Sequence, residues 1–510
     1  MELNKYLLKH YSPVFSQAAP FEETADIIVP DAYGDIAKIV GSFAVPTIKD
    51  KDISSGKVTI TGSIKCAMLY IPENSAAIVK LDTTIPFSQS FESPAINEDS
   101  KVLAKITLIN SDAKELNSRK IAVRANLLLY VRAQNQTVTE LCQSIDADEK
   151  VCLQTLENTH DLTLAVAVNE KDFSFSDELV IPSEKPAIRE IISTKTALNV
   201  TDVKGVGNKS IFKGQAEVQV LYLSDALDKI ESVSTQIPFS QIIDIDNTSE
   251  QADCEVSVLL KSLEAEVRPD LNGQSKSVYL TVFAGATAVT HTSTSVKTVE
   301  DCYSAAYSLE AEIAAQTLPS ITDKIKKSTG LRELIEVVND PAAIIDHAIS
   351  LESVGMSRDE NGANMQYDVF ANILFRGMDD TYYSVFRKIP VVVNMDIGQN
   401  SAVEQNAWIE SVYCSIMGNK INLEAQLAVE AKLSAEVSIK TVTSANVDLK
   451  DYKLNAKRPS IILRQINKPE ALWDIAKNYN TTITEIMAAN NLEDEERVPA
   501  GRMLLIPKRR

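Results

Sequence analysis

Residues 83–89 read TTIPFSQ and residues 235–241 read TQIPFSQ, which places Pro86 and Pro238 152 positions apart. The flanking residues keep the same offset, and the matched pairs are Phe21 with Phe173, Gly62 with Gly214, and Tyr70 with Tyr222. A third, weaker copy follows, because the run KIPVVV places Pro390 another 152 positions along the chain. Three copies of this period and a short tail fill a chain of 510 residues, so a repeat architecture is predicted.

The longest segment of each copy alternates between apolar and polar residues with a period of two, which is typical of a β-strand with one buried face. Its apolar positions begin and end at Val58 and Tyr70, Phe212 and Tyr222, and Met365 and Phe375. A tight-turn signal precedes each segment, and a second alternating strand closes each copy. The turns are Ser55-Gly56, Gly207-Asn208 and Asn361-Gly362, and the closing strands are 121–131, 278–288 and 421–431.

Clean alternation with short turns predicts antiparallel sheets with one solvated face. The expected fold class is therefore mainly β with minor α, in three tandem antiparallel β-sandwich-like repeats followed by a small C-terminal βααβ domain. The proline of each IPF motif is expected at a strand edge or a bulge, because it has no N–H to donate to a ladder. A shared binding edge is the alternative reading of its recurrence.

The segments between the copies, residues 137–169 and 296–338, mix short stretches of helical spacing with strand-like pieces. They predict connecting helices followed by the first strand of the next copy. The predicted organisation is an N-terminal segment at 1–20, β domains at 21–135, 173–292 and 331–455, connectors at 136–172 and 293–330, and a C-terminal domain at 458–510.

Two runs resemble a known domain: IIVPDAYGDIAKIV at 27–40 and LVIPSEKPAIREII at 179–192, each followed by a long strand ending in Leu-Tyr and then by IPFSQ. They are similar to the SPOCS domain that is repeated in spore-coat morphogenetic proteins of endospore-forming bacteria. The resemblance is good for the first two copies and loose for the third. That family carries a C-terminal LysM module after these domains, so the resemblance implies a LysM module in the tail.

The tail, residues 461–508, shows the pattern strand, helix, helix, strand, and Thr482 with Glu485 forms a capping-box pattern at the second helix. The string LWDIAKNYNTTITEIMAANNL followed by PAGRMLLIPK is similar to the LysM consensus over nearly its full length. A unit of this size depends on each of its few large side chains, so Trp473 and Ile475 are predicted core residues.

LysM modules generally bind polymers that contain N-acetylglucosamine, in a shallow groove between the loop that opens helix one and the loop that follows helix two. The resemblance places this groove at Pro469, Glu470, Ala471 and Leu472 on one side and at Asn490, Asn491 and Leu492 on the other. Where the family usually has Gly-Asp-Thr, this chain has Pro-Glu-Ala, which removes the hydroxyl that caps helix one and can reach a sugar. We expect that loss to weaken glycan binding by about 1 kcal/mol.

Composition narrows the possible functions. Lys plus Arg is 51 and Asp plus Glu is 70, a net charge of −19 that opposes a nucleic-acid role. No apolar run approaches the length of a transmembrane helix, and MELNKYLLKHYSPVF at the start lacks the apolar region of a signal peptide, so a cytoplasmic protein is expected. The six cysteines form no CxxC pair, which favours free thiols in a reducing compartment.

Catalytic and metal motifs give no positive signal. The four histidines, His10, His160, His291 and His347, are far apart and lack metal-ligand spacing. The run GVGNKS at 205–210 has the wrong glycine spacing for a phosphate loop and is followed by an alternating strand, so it is predicted to be a hairpin turn. A protein without enzymatic activity, cofactor or metal is therefore expected.

Two functions remain from the resemblance. The first is a structural adaptor in the mother-cell cytoplasm, at the forespore surface or in the spore coat, whose LysM module docks onto the coat morphogenetic ATPase while the β domains link other coat proteins. The second is a protein of the cell wall or spore cortex that binds peptidoglycan or N-acetylglucosamine oligomers through the same module. The changed groove loop favours the adaptor.

Overall fold

The computed structural model describes residues 1–73, 77–225, 229–245, 252–270, 273–360, 362–398, 401–452, 460–492 and 497–507. The first copy contributes β1 (Glu2–Ile28), β2 (Ile36–Ser54), β3 (Lys57–Pro72), β4 (Val79–Glu92), β5 (Lys101–Asn117) and β6 (Lys120–Asp146). These strands form two antiparallel three-stranded layers, a large sheet in the order β1-β6-β5 and a small sheet in the order β2-β3-β4.

The second and third copies repeat this topology strand for strand. The second contains β7 (Leu153–Val180), β8 (Ile188–Val206), β9 (Lys209–Ser224), β10 (Ile230–Asp244), β11 (Asp253–Arg268) and β12 (Ser277–Ser304). The third contains β13 (Tyr307–Glu336), β14 (Pro341–Asp359), β15 (Gly362–Gly377), β16 (Tyr382–Met395), β17 (Ala402–Met417) and β18 (Lys420–Tyr452). Their large sheets run β7-β12-β11 and β13-β18-β17, and their small sheets run β8-β9-β10 and β14-β15-β16. The predicted mainly β fold with three sandwich-like repeats is confirmed.

The core of each repeat lies between its two sheets, as the alternating pattern predicts. In the first repeat Ile60, Ile64, Met68 and Tyr70 on β3 are fully buried and pack against the central strand β6. The tight turns before β3 and β9 have glycines at positive φ, +81° at Gly56 and +58° at Gly207. The third predicted turn includes Asn361, which lies outside the described residues.

The IPF motif of the first two copies lies on an edge strand of its small sheet, which confirms the expected position of its proline. Pro86 is on β4 and Pro238 is on β10, each at the end of its sheet order. The phenylalanine that follows Pro86 pairs with Gly62 across β3 and β4. A Cβ atom at Gly62 would lie 2.4 Å from the ring of Phe87 and 2.2 Å from the carbonyl oxygen of Thr47, so the motif and the glycine form one packing unit.

The outer faces of the small sheets are also buried over part of their length, which corrects the expectation of one solvated face. Leu69, Leu221 and Leu374 hold corresponding positions on β3, β9 and β15, and all three belong to a single apolar cluster. Ile78, Ile230 and Tyr382, each 152 residues from the next, join the same cluster. The three repeats therefore pack around a shared apolar axis with approximate threefold symmetry.

The prediction of connecting helices at 137–169 and 296–338 is wrong. Both segments are described in full, and they hold strands together with one 3₁₀ turn at Glu149–Val151. The first and last strands of each copy run on past the sandwich as two-stranded ribbons, so the predicted domain boundaries at 135, 172, 292 and 330 fall inside strands. Most of the residues there are apolar or β-branched and alternate in burial, a pattern that suits a strand better than a helix.

Three such ribbons form a stalk. The first ribbon pairs residues 2–13 with 134–146, the second pairs 153–165 with 291–304, and the third pairs 307–321 with 434–452. A register shift separates each ribbon from its sandwich, because one extra residue bends the strand there. Apolar side chains from all three ribbons share the stalk interior, and they include Leu141, Leu164, Val296, Leu318 and Ile439.

Hydrogen bonds link neighbouring ribbons. The backbone N–H of Cys142 donates to Oγ1 of Thr441 at 2.7 Å, and the backbone N–H of Thr163 donates to Oγ of Ser320 at 2.9 Å. Tyr11 pairs with Ala165 and so joins the large sheets of the first two repeats into one sheet. The stalk is thus closed between the first and second, second and third, and third and first ribbons.

Candidate functional site

The C-terminal module contains six short elements. They are β19 (Ile461–Gln465), β20 (Glu470–Ala471), α1 (Leu472–Tyr479), α2 (Ile483–Asn490), β21 (Arg497–Val498) and β22 (Met503–Pro507). Strand β19 pairs with β22, and β20 pairs with β21. The predicted strand-helix-helix-strand order is confirmed, with an additional two-residue pair that the sequence did not indicate.

The two helices of the module begin differently. At α2 the hydroxyl of Thr482 accepts the backbone N–H of Glu485 at 3.2 Å, and the Glu485 carboxylate accepts the N–H of Thr482 at 3.3 Å. This confirms the predicted capping box. At α1 the N-cap is Ala471, whose backbone has the extended conformation of a cap but which makes no side-chain cap hydrogen bond. Alanine thus occupies the position where the family usually has a threonine, and the first turn of α1 has no side-chain hydroxyl to cap it.

On the first side of the predicted groove, burial decreases away from the helix. Leu472 is buried in the module core, Ala471 and Glu470 are half-buried, and Pro469 is exposed. The Glu470 carboxylate accepts a hydrogen bond from Nη2 of Arg464 at 2.8 Å. Glu470 is therefore already paired within the module.

On the second side, the side chains divide between structural and exposed positions. The Asn490 amide donates to the carbonyl oxygens of Leu505 and Ile486 and accepts the backbone N–H of Leu505 at 2.7 Å. Asn491 is exposed and caps α2 in the left-handed conformation, with φ of 50°. Leu492 is buried in the same cluster as Leu472, so the two sides converge over one core.

This arrangement leaves two exposed side chains in the predicted groove, Pro469 and Asn491. Leu472 and Leu492 support the module from within, and the Asn490 amide holds α2 against β22. The groove residues thus form a surface whose polar side chains are mostly engaged inside the module. An apolar or backbone-mediated contact fits such a surface better than recognition by many sugar hydrogen bonds.

Both residues predicted for the core of the module have little exposed surface, and one of them has a partner outside the module. Ile475 is fully buried and Trp473 is 8% exposed. The Trp473 indole N–H donates to Oδ2 of Asp301, on the ribbon end of β12, at 2.8 Å. The sequence analysis did not find Asp301. A buried indole N–H usually has a hydrogen-bond acceptor, so the prediction that Trp473 is buried implied that an acceptor lies near it.

One cluster of metal-ligand side chains exists among the described residues. Ligand atoms of Asp253, Glu255 and His291 lie within 4.8 Å of one another, although His291 is distant in sequence from the two carboxylates. Lys324 forms ion pairs with both carboxylates, and Lys432 lies 2.5 Å from Glu255. The two ammonium groups already neutralise the carboxylates, so we interpret the cluster as an ion-pair junction between the second and third repeats.

The junction extends to the first repeat and perturbs two titrating groups. Arg132 on β6 pairs with Glu404, which also lies 3.8 Å from Lys432. Burial lowers the pKa of His291 to about 4, which keeps its ring neutral. Burial would raise the pKa of Glu255, but its ion pairs overcome that effect and lower the pKa to about 2.

The thiols are unpaired, as predicted. All six cysteines are free, and Cys66, Cys142 and Cys302 are buried. Burial raises the pKa of Cys66 and Cys302 to about 11, so both remain protonated near neutral pH. Among the described residues, the structure contains no helix with the length and apolar character needed to cross a membrane.

Three segments of the chain match models of known protein families. Residues 35–116 and 187–268 match the family described as SipL, SPOCS domain, and residues 466–507 match the family described as LysM domain. The two SPOCS matches each begin near the start of a small sheet and end within β5 or β11, and the third repeat shares their topology. No curated protein and no solved structure matches the chain.

Proposed function

Because the chain carries the tandem SPOCS domains and the C-terminal LysM domain of SipL-like spore-coat proteins, we propose that it is a non-enzymatic structural adaptor in spore-coat assembly. The LysM domain docks onto the coat morphogenetic ATPase at the forespore surface, and the β repeats link other coat components. The protein acts in the mother-cell cytoplasm. The observation that carries the proposal is the presence of both domain types in one chain.

The LysM groove supports a protein partner. The cap hydroxyl is replaced by Ala471, the Asn490 amide is bound to β22, and Glu470 is paired with Arg464. Each of these features removes a group that would otherwise hydrogen-bond a sugar. A protein surface that packs on Pro469 and Asn491 makes fewer demands on such groups.

The β repeats support a linking role. In each small sheet β4, β10 or β16 forms an edge, where an extended segment of a partner can add a strand through main-chain hydrogen bonds. The ring of three repeats presents these edges on one body. Several weak contacts with a multivalent coat layer then raise avidity through effective concentration.

A second candidate function is binding of peptidoglycan through the LysM domain. The LysM match covers residues 466–507, so it includes both sides of the groove. Pro469 and Asn491 remain exposed there. Shape and apolar stacking on a glycan chain are the contacts that this alternative uses.

Co-sedimentation of the purified protein with filaments of the coat ATPase, and separately with peptidoglycan sacculi, tests the two functions. We expect the full chain to pellet with the filaments and a chain that lacks residues 458–510 to remain in the supernatant. Capture by sacculi alone contradicts the adaptor function and supports the peptidoglycan alternative. Capture of both chains by the filaments contradicts docking through the LysM domain.

A pair of matched substitutions locates the contact within the domain. Asn491→Gly removes an exposed groove side chain, and glycine tolerates the positive φ of that position. Asn480→Gly is the control, because Asn480 caps α1 with φ of 51° but lies outside the groove. We expect Asn491→Gly to weaken capture by the filaments by about threefold to tenfold, with the control unchanged. Equal capture of both variants and the unaltered chain contradicts the groove as the contact surface.

A further inference from the structure

The LysM domain shares its core with the end of the second ribbon. Tyr303 on β12 and Leu156 on β7 belong to the same apolar cluster as Trp473 and Ile475. The rings of Tyr303 and Trp473 meet edge to face, with centroids 4.9 Å apart and planes at 69°. Such aromatic pairs stabilise a contact beyond the area that they bury. The module is therefore seated on the repeats as well as tethered to them.

Polar contacts give this seat its specificity. The Asp301 side chain is 15% exposed and accepts both the indole N–H of Trp473 at 2.8 Å and the Lys477 ammonium, whose Nζ lies 2.7 Å from each carboxylate oxygen. The Tyr303 hydroxyl donates to the backbone carbonyl of Thr481 at 2.7 Å in a buried position. The bonds to the Asp301 carboxylate are charge-assisted, and such bonds are about twice as strong as neutral ones.

The corresponding positions of the other ribbons lack this combination. Val299 and Cys302 pack in the stalk with Cys142 and Ile145 of the first ribbon and with Val442 and Ala445 of the third, at the same spacing of three residues. By that correspondence, the positions equivalent to Asp301 in the first and third ribbons are Ser144 and Ser444. The positions equivalent to Tyr303 are Asp146 and Asn446. A carboxylate followed by an aromatic ring two residues on is thus a feature of the second ribbon.

We propose that Asp301 and Tyr303 form an intramolecular docking site that holds the LysM domain on the second ribbon through Trp473, Lys477 and Thr481. The contacts come from α1 and the loop after it, whereas Pro469 and Asn491 are exposed. Docking thereby orients the predicted groove away from the seat. The value of that orientation rests on the proposed function, but the docking itself does not.

Cleavage between the repeats and the LysM domain tests the docking site in the full chain. A protease recognition sequence is inserted between Tyr452 and Ser460, the folded protein is cut, and size-exclusion chromatography shows whether the LysM fragment stays with the repeats. We expect the fragment to co-elute. Separation of the fragment from the otherwise unaltered protein overturns the proposal.

Charge reversal then tests the named residues. Asp301→Lys places two ammonium groups together, and we expect the retained fraction of the fragment to fall roughly tenfold or more. Asp161→Lys is the control, because Asp161 is exposed on the same ribbon. Adding Lys477→Asp to Asp301→Lys restores an opposite pair and is expected to recover part of the retention. Full retention in Asp301→Lys, or no recovery in the double variant, overturns the role of Asp301.

This readout separates the docking site from the proposed function. Fragment retention is measured without filaments or sacculi, so a failure of co-sedimentation leaves it unchanged. Conversely, a fragment that dissociates after cleavage leaves the co-sedimentation of the uncut chain as a separate result.

Discussion

Phe239 lies directly opposite Gly214 across β10 and β9, and its ring occupies the space that a side chain on Gly214 would need. A Cβ atom there would lie 2.3 Å from the ring and 2.4 Å from the carbonyl oxygen of Asn199. In the third repeat the corresponding pair is Tyr367 and Val391, so the large residue has moved to the central strand. The third copy therefore replaces the pair of a glycine and a phenylalanine with a tyrosine and a valine, so that one large and one small residue still pack together.

Substitution of this glycine is expected to destabilise the second repeat. Gly214→Ala forces either the Phe239 ring or the neighbouring strand to move, which costs about 1–3 kcal/mol of the free energy of unfolding. Urea denaturation followed by circular dichroism measures the change. Gly355→Ala is the control, since Gly355 has no atom within 4 Å of the added Cβ. Equal stability of the two variants would show that the ring does not confine Gly214.

The ion-pair junction predicts a loss of stability in acid. The folded protein keeps His291 neutral down to about pH 4, whereas in the unfolded chain it is protonated below its ordinary pKa of 6.5. The free energy of unfolding should therefore fall as the pH drops from 6.5 to 4, by roughly 3 kcal/mol. Glu255 adds to the loss at lower pH, because its depressed pKa stabilises the fold above pH 4.5 and that contribution disappears toward pH 2.

A histidine variant isolates the first of these effects. His291→Gln cannot be protonated, so its stability should change less between pH 7 and pH 4.5 than that of the unaltered protein, as measured by urea denaturation at each pH. Ser295→Ala, a substitution without a titrating group at an exposed position on the same strand, should keep the original pH dependence. A slope in His291→Gln as steep as the original would assign the acid sensitivity to another group.

The uncapped start of α1 predicts a stabilising substitution. Ala471 has φ of −71° and ψ of 140°, a geometry in which a serine hydroxyl can accept a backbone N–H of the first turn. Ala471→Ser should therefore stabilise α1 by about 0.5–1 kcal/mol, measured as slower hydrogen exchange of its amides. Thr482→Ala removes an existing cap and should speed exchange in α2 by a similar amount. Unchanged exchange in Ala471→Ser would mean that the hydroxyl finds no donor.

Two substitutions in the LysM domain should differ sharply in their effect. Trp473→Ala leaves a cavity beside Tyr303 and removes the donor to Asp301, so it should cost about 3–5 kcal/mol and unfold the domain. Glu470→Ala loses only the half-exposed pair with Arg464 and should leave the domain folded. Thermal unfolding of the two variants, followed by far-ultraviolet circular dichroism of the backbone, compares their stability. A folded Trp473→Ala domain would contradict the core position of this side chain.

The repeat period, the strand pairs and their buried faces were predictable from the sequence. Each follows from apolar and polar residues that alternate over a short stretch beside a repeated motif. The burial of Val58 to Tyr70 on one face follows from that pattern. The burial of Leu69 on the opposite face does not, because it depends on Leu221 and Leu374, which lie far away in the chain. Packing between repeats leaves no local signature.

The ribbons were missed for a related reason. Most of residues 137–169 lie in strands whose partners are far away in the chain, and Leu153 pairs with Ser304, 151 residues on, so the local spacing gave no partner to align with. Within the LysM domain the groove remains a prediction, and its residues differ in how far the sequence could place their contacts. The uncapped Ala471 was predicted from sequence, whereas the internal role of the Asn490 amide requires the position of Leu505. The buried indole of Trp473 indicated that an acceptor was needed, but nothing in the sequence near Asp301 marks that residue as the partner.

The threefold arrangement around Leu69, Leu221 and Leu374 is made by one polypeptide, and that has a consequence for stoichiometry. A ring of three identical subunits would carry three equal ribbon ends and three LysM domains. Here the copies have been free to diverge, so one ribbon end bears Asp301 and Tyr303 while the others bear different residues. Each ring of three repeats therefore carries one LysM domain, and that domain lies at one ribbon end. The position of the LysM domain breaks the approximate threefold symmetry of the repeats.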